Sequence, residues 1–146
     1  MNLLIFTLQM IVILLLLRLS YTDIRDRIID NNVILALLVI ILPISFLKYQ
    51  TIFILPAVFA LMIGFLLFTL RVIGAGDVKL VSVLMLMIPL DELIYFFFFI
   101  AFAGLLLIVV GWLFYRKSIK ERGLPYGVAI SLGFLTNLAL SGVPSA

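Results

Sequence analysis

Uncharged, mostly apolar stretches follow one another along almost the whole chain, at 2–17, 31–47, 49–70, 93–115 and 123–146. Charge is largely confined to the short segments between them. A helix needs about 20 mostly apolar residues to cross the hydrocarbon core of a bilayer, and most of these stretches reach that length with help from flanking residues. The pattern predicts an all-α polytopic membrane protein with about six spans, near 3–21, 32–47, 51–71, 78–90, 93–115 and 125–142. The connections are short and contain no Pro/Ser-rich linker, so residues 1–146 read as a single transmembrane domain. The first stretch has no basic segment ahead of it and no small-residue cleavage site before Arg18. It therefore reads as a retained span and not as a secretory signal. The fourth is the short one: its 13 residues give roughly 20 Å of helix against a core of about 30 Å. A sunken span with local thinning of the bilayer accommodates it.

Composition agrees with this reading and removes much chemistry. The chain is 66% hydrophobic and 12% charged, too little polar surface for a soluble domain of this length. It has no cysteine and no histidine. Thiol nucleophiles, histidine-based triads, zinc–thiolate sites and disulfides are all excluded.

The net charge of +3 is a topology signal and does not point to nucleic acid. In a six-span arrangement Arg18, Arg25, Arg27, Arg71, Lys79, Arg116, Lys117, Lys120 and Arg122 fall on one side, and only Lys48 on the other. The positive-inside rule makes the first side cytoplasmic, with both termini facing outward. A re-entrant fourth segment would place the basic run at 116–122 outside, against that rule.

Seven carboxylates remain as candidates for chemistry. Asp91 and Glu92 fall in a short outer turn, and Glu121 in a basic loop; all three read as solvated. Asp26 and Asp30 are matched by Arg25 and Arg27 nearby. Asp23 is the member of that group nearest the apolar span. Asp77 lies in Gly74-Ala75-Gly76-Asp77-Val78-Lys79-Leu80, between two apolar spans. Glycine there permits a sharp turn or the close approach of another segment, and Asp77 falls near the positive end of a helix dipole. An N-cap aspartate after a glycine turn describes the same stretch equally well.

Topology brings two of these groups to one face. Span one ends inside at Asp23, and span four begins inside at Asp77. Ionisable groups at membrane depth are functional candidates. Two neighbouring carboxylates do not readily ionise together, so one retains a proton near neutral pH. The ionised partner can take a proton from water while the other protonates a carbonyl oxygen or a leaving amine. This is aspartyl-protease chemistry, and it needs neither metal nor histidine.

Three stretches carry a family resemblance. Gly74-Ala75-Gly76-Asp77 is similar to the Gly-x-Gly-Asp motif of intramembrane aspartyl proteases, and Val78-Lys79-Leu80 extends it in the manner of prepilin peptidases. The stretch from Asp23 through Arg25 and Ile29 to Asn31 resembles the first-aspartate motif of that family, Asp-x-Arg-x-x-x-Ile-Pro-Asn. Leu124-Pro125-Tyr126-Gly127 resembles the last-span motif of the small prepilin peptidases of tight-adherence (Flp-type) pilus systems. The three stand in the family's order over about residues 20–133.

The resemblance implies Asp23 and Asp77 as the catalytic pair, with Gly74, Gly76, Lys79, Arg25, Asn31, Pro125, Tyr126 and Gly127 in support. It implies no cofactor and no metal. The substrate would be a prepilin with a short basic leader in the cytoplasm and an apolar helix in the bilayer, cut at their boundary in the inner membrane. Two departures bear on this. Asp30 stands where the family has proline, which is expected to loosen the turn after the first motif. The Cys-x-x-Cys domain with which larger members methylate the new N-terminus has no counterpart here, which implies a peptidase-only form.

Two other readings compete. A presenilin-like protease would share Gly-x-Gly-Asp but carries Pro-Ala-Leu in its last span, where this chain has Pro125-Tyr126-Gly127. A small transporter or assembly subunit would place its carboxylates near the bilayer midplane, not at the edge. Gly64, Gly104, Gly111, Gly127 and Gly133 suit close helix contact, either with a substrate helix or within the chain itself.

Overall fold

A computed structural model describes residues 3–26, 29–71, 74–114, 116–117 and 125–141. Arg27, Lys120, Glu121, Arg122 and Leu124 lie outside the described residues, as does the side chain of Asp26. The described chain forms six α-helices: α1 (Leu3–Asp26), α2 (Asn31–Tyr49), α3 (Ile54–Thr69), α4 (Ala75–Met85), α5 (Leu93–Phe114) and α6 (Tyr126–Ser141). A 3-10 turn, Leu90–Glu92, leads into α5. The chain is an all-helical membrane protein. Segments Leu3–Arg25, Asn31–Tyr49 and Leu90–Phe114 are long and apolar enough to span a bilayer, while Ile54–Thr69 and Tyr126–Leu140 are shorter apolar helices.

Local chemistry sets the helix ends. Asp30 is the N-cap of α2: its backbone is extended and its carboxylate accepts the Asn32 N–H at 2.9 Å. The residue expected to loosen this turn therefore holds it, because its side chain pairs one of the amides that a helix start leaves unmatched. At the other end of α2, Gln50 takes a left-handed conformation (φ 60°) and donates its N–H to the Phe46 carbonyl at 2.8 Å. Pro56 lies in the first turn of α3, where a missing N–H is harmless. Arg71 (φ 62°) turns the chain out of α3, its N–H on the Phe68 carbonyl.

α4 is the exception. It begins three residues before the expected span and has only 11 residues, about 16 Å of α-helix. Beyond Met85 the amides of Leu86, Met87 and Ile88 reach back three residues, to Val83, Leu84 and Met85. This tighter winding lengthens the element by about 2 Å per residue. The Leu86 carbonyl then receives the Phe53 N–H at 3.1 Å, and the Ser45 hydroxyl lies 3.0 Å away. An irregular ending is tolerated at membrane depth only inside protein, and α4 meets that condition. It packs against α2, α3 and α6, with Val78, Leu80, Ser82, Leu84 and Met85 buried.

Successive segments alternate in direction. At one end of the bundle the end of α1 meets the start of α6, through Asp23 and Gly127, and the starts of α2 and α4 meet through Asn31 and Lys79. At the opposite end α2 and α4 finish together at Ser45 and Leu86, α3 begins at Phe53, and Glu92 before α5 accepts from Asn137 late in α6. α4 therefore passes from one end to the other and does not turn back. Glu92, expected as a solvated loop carboxylate, is half-buried by its contact with Asn137 at 3.3 Å.

Leu16, Leu19, Leu37, Ile41, Ile44, Leu80 and Leu84 fill the centre, and Phe96 meets Phe134 edge-to-face at 6.3 Å between α5 and α6. Large apolar side chains such as Phe59, Met62 and Phe65 on α3, and Phe98, Phe102 and Leu105 on α5, face outward. Such a surface is stable against acyl chains and not against water. Near the end of α5 the Arg116 guanidinium folds back over the Trp112 ring at 4.6 Å, the arrangement of an aromatic and a basic anchor at a membrane interface.

Candidate active site

The two central helices, α4 and α6, touch each other and begin at the same end of the bundle. A helix start presents unpaired N–H groups and the positive end of a dipole, which favour a carboxylate. Each of these starts has one. Asp77 is the third residue of α4, in its first turn. Asp23, in the last turn of α1, lies at the start of α6: its Oδ2 accepts the Gly127 N–H at 2.8 Å. Asp23 is 5% exposed, while Asp77 is half-buried. Asp77 follows Gly76 and Asp23 binds Gly127, and Ile29 packs against both glycines. The N-cap of α4 is Gly74 and not Asp77, so a capping role does not describe Asp77.

The glycines of the motifs do unequal work. A Cβ on Gly76 would meet the Ile29 Cβ at 2.9 Å. A Cβ on Gly127 would meet Asp23 Oδ2 at 2.7 Å and Ile29 Cδ1 at 3.1 Å. Ile29 is thus wedged between α4 and α6, and all three sequence stretches close on it. Gly74 is different: its backbone is extended (φ −79°, ψ 154°), and an added Cβ would meet only Asp77 Oδ2 at an ordinary 3.6 Å. The sharp turn that glycine was expected to provide is not made at this residue.

The other expected residues fall into two groups. Lys79 Nζ donates to Asn31 Oδ1 at 3.3 Å, which braces the start of α4 against the start of α2 on the exposed side of the site. Pro125 is buried, and its carbonyl accepts the Val128 N–H in the first turn of α6. This presents Gly127 to Asp23. Arg25 is exposed on α1, with Nη1 3.5 Å from the Tyr21 hydroxyl. Tyr126 lines an apolar groove beside the carboxylates. Sequence alone does not mark Ile29 as a site residue. Its only signal was the isoleucine of the first-aspartate motif, because a wedge residue announces itself only when both glycines it touches are located.

The model of the type IV leader peptidase family matches residues 10–109. The chain belongs to that family. The matched range runs from α1 into α5 and includes Asp23, Asp77 and the Gly74–Gly76 stretch. It stops short of α6, so the place of Gly127 in this leader peptidase family member rests on its hydrogen bond to Asp23. No curated protein and no solved structure matches the chain.

Proposed function

We propose that this leader peptidase family member is an aspartyl endopeptidase that removes the short basic leader from Flp-type prepilins. Cleavage takes place at the cytoplasmic face of the inner membrane, with both chain ends on the outer side. The observation that carries the reading is the pair itself. Asp23, at the end of α1, is buried against the first turn of α6, Asp77 stands on the first turn of α4, and Ile29 packs against both Gly76 beside the one and Gly127 beside the other.

The chemistry follows from that placement. One carboxylate is ionised and takes a proton from a water molecule, which attacks the scissile carbonyl carbon; the other, still protonated, donates to the carbonyl oxygen. Collapse of the tetrahedral intermediate breaks the C–N bond, and the proton gained from water passes to the leaving amine. The pair lies at one end of the bundle, where a leader in water meets a helix in lipid. A transport site would sit nearer the middle. Two acidic groups at that end also suit a basic leader.

The test is co-expression with a candidate prepilin and measurement of leader removal on a gel. Asp23→Asn and Asp77→Asn are each expected to abolish processing while the chain still enters the membrane, and Asp26→Asn is expected to retain it. Processing at the normal rate by either of the first two variants would remove that aspartate from the mechanism.

A further inference from the structure

Beside the carboxylates the bundle is open to the lipid. α3 and α5 stand apart across a groove of about 730 Å³ whose floor is formed by α4 and α6. Ala60 and Gly64 of α3, Ala101 and Gly104 of α5, and Val78 and Ala129 of the floor keep it shallow-walled and apolar. Small residues of this kind let a helix of 10–12 Å diameter approach closely. One end of the groove lies at the aspartates, since Val78 follows Asp77 and Tyr126 precedes Gly127 in sequence and both line it.

The glycines separate what the bundle uses from what it leaves open. Gly64 is filled by Val78, whose Cγ1 would be 2.5 Å from an added Cβ, and Gly133 lies against the backbone of Ile100. Among the described residues nothing lies within 4 Å of a Cβ added at Gly104. Its small size serves no contact with them, and it faces the groove.

We infer that this groove seats the apolar helix of the membrane-anchored substrate, with Gly104 limiting the size of the side chains that fit. The inference rests on the leader-peptidase reading and extends it to the part of the substrate that is not cut. The occupant follows from charge as well as shape. A segment that is apolar along its length and basic at the end meeting Asp23 and Asp77 complements the groove and the carboxylates together. A phospholipid in the groove would bring a phosphate to the same two carboxylates, and like charges repel.

Two measurements test this on the full chain in membranes. A benzophenone amino acid placed at Leu105, a large and exposed side chain that already lines the groove, in the Asp77→Asn background, which holds substrate without turnover, is expected to crosslink to the apolar helix of a co-expressed prepilin. Crosslinks only to lipid, or only to a second copy of the chain, overturn the inference. Separately, Gly104→Phe on the otherwise native chain is expected to slow prepilin cleavage by about tenfold or more, the scale on which apolar pockets discriminate by size. Leu14→Trp, on the exposed face of α1 and outside the groove lining, is expected to cleave at the native rate. If Gly104→Phe enters the membrane and cleaves at that rate, the groove is not the docking surface. If Gly104→Phe fails to accumulate, the crosslink decides. A native chain that cleaves no prepilin would overturn the leader-peptidase reading instead, which keeps the two failures distinct.

Discussion

Replacing Gly127 by alanine puts one methyl group where three stretches of the chain meet. Its carbon would stand 2.7 Å from Asp23 Oδ2, 3.2 Å from Asp23 Cγ and 3.1 Å from Ile29 Cδ1. Unstrained contact between such atoms needs about 3.5 Å, so the carboxylate or α6 must shift by roughly 0.8 Å. Asp23 is packed in the last turn of α1 and Ile29 is held against Gly76, so neither neighbour can withdraw without disturbing a second contact. The 2.8 Å bond from the Gly127 N–H lengthens with the shift. Losing a hydrogen bond to a charged group costs about 1.5–3 kcal/mol, and overpacking adds about 1–3 kcal/mol. A misplacement on the order of 1 Å at a catalytic group lowers rates about a hundredfold. The expected outcome is therefore near-complete loss of prepilin processing, together with a lower unfolding midpoint in detergent. Leader removal is followed against time in membranes carrying equal amounts of native and variant chain. Native rate and native stability in Gly127→Ala would refute the argument, since they would mean that Asp23 is not held by α6.

The wedge at Ile29 supports a paired test. Gly76→Ala is expected to impair processing, and Ile29→Gly, which removes the Cβ that stands 2.9 Å from the added methyl, is expected to restore part of it; additive losses in the double variant would show that the two residues do not interact. Gly74→Ala is expected to retain most activity despite lying in the same motif, because its backbone is extended and its space is free; an inactive, folded Gly74→Ala would contradict this. Asp30→Ala is expected to lower stability by about 1 kcal/mol through loss of the α2 cap, with Asp30→Ser close to native in the same thermal unfolding measurement. Ser45 shares one hydroxyl proton between the Thr51 and Leu86 carbonyls, at 2.7 and 3.0 Å. Ser45→Ala is expected to cost about 1–2 kcal/mol and to appear as faster amide exchange around residues 86–88 without loss of the active-site geometry.

The same contacts allow α4 to be so short. A helix of 11 residues exposed to lipid would leave carbonyls unpaired in hydrocarbon. Here the Leu86 carbonyl is met by Phe53 and Ser45, and three helices surround the element. The protein rather than the bilayer solvates it. Its first turn, bearing Asp77, is in this way held by a buried element whose far end is pinned.

The apolar stretches alone determined that the chain is helical and membrane-embedded, because an uncharged run of that length has no other stable state in or near a bilayer. They also determined the order of the six helices, and the ordered motifs pointed to the family and to both aspartates. The limits of α4 were not legible. Its tapered end depends on Ser45 and Phe53, remote partners that leave no mark on the local hydrophobic pattern. Nor could sequence distinguish Asp77 as a cap from Asp77 in the first turn, since Gly74 and Asp77 are equally good candidates by residue type. Only the tertiary structure decided what each glycine is for. Gly76 and Gly127 admit Ile29 and the Asp23 carboxylate, Gly64 admits Val78, and Gly104 faces open space. The physical reason is that a missing Cβ has no signature of its own; its meaning is the atom that occupies, or leaves empty, the place where the Cβ would be.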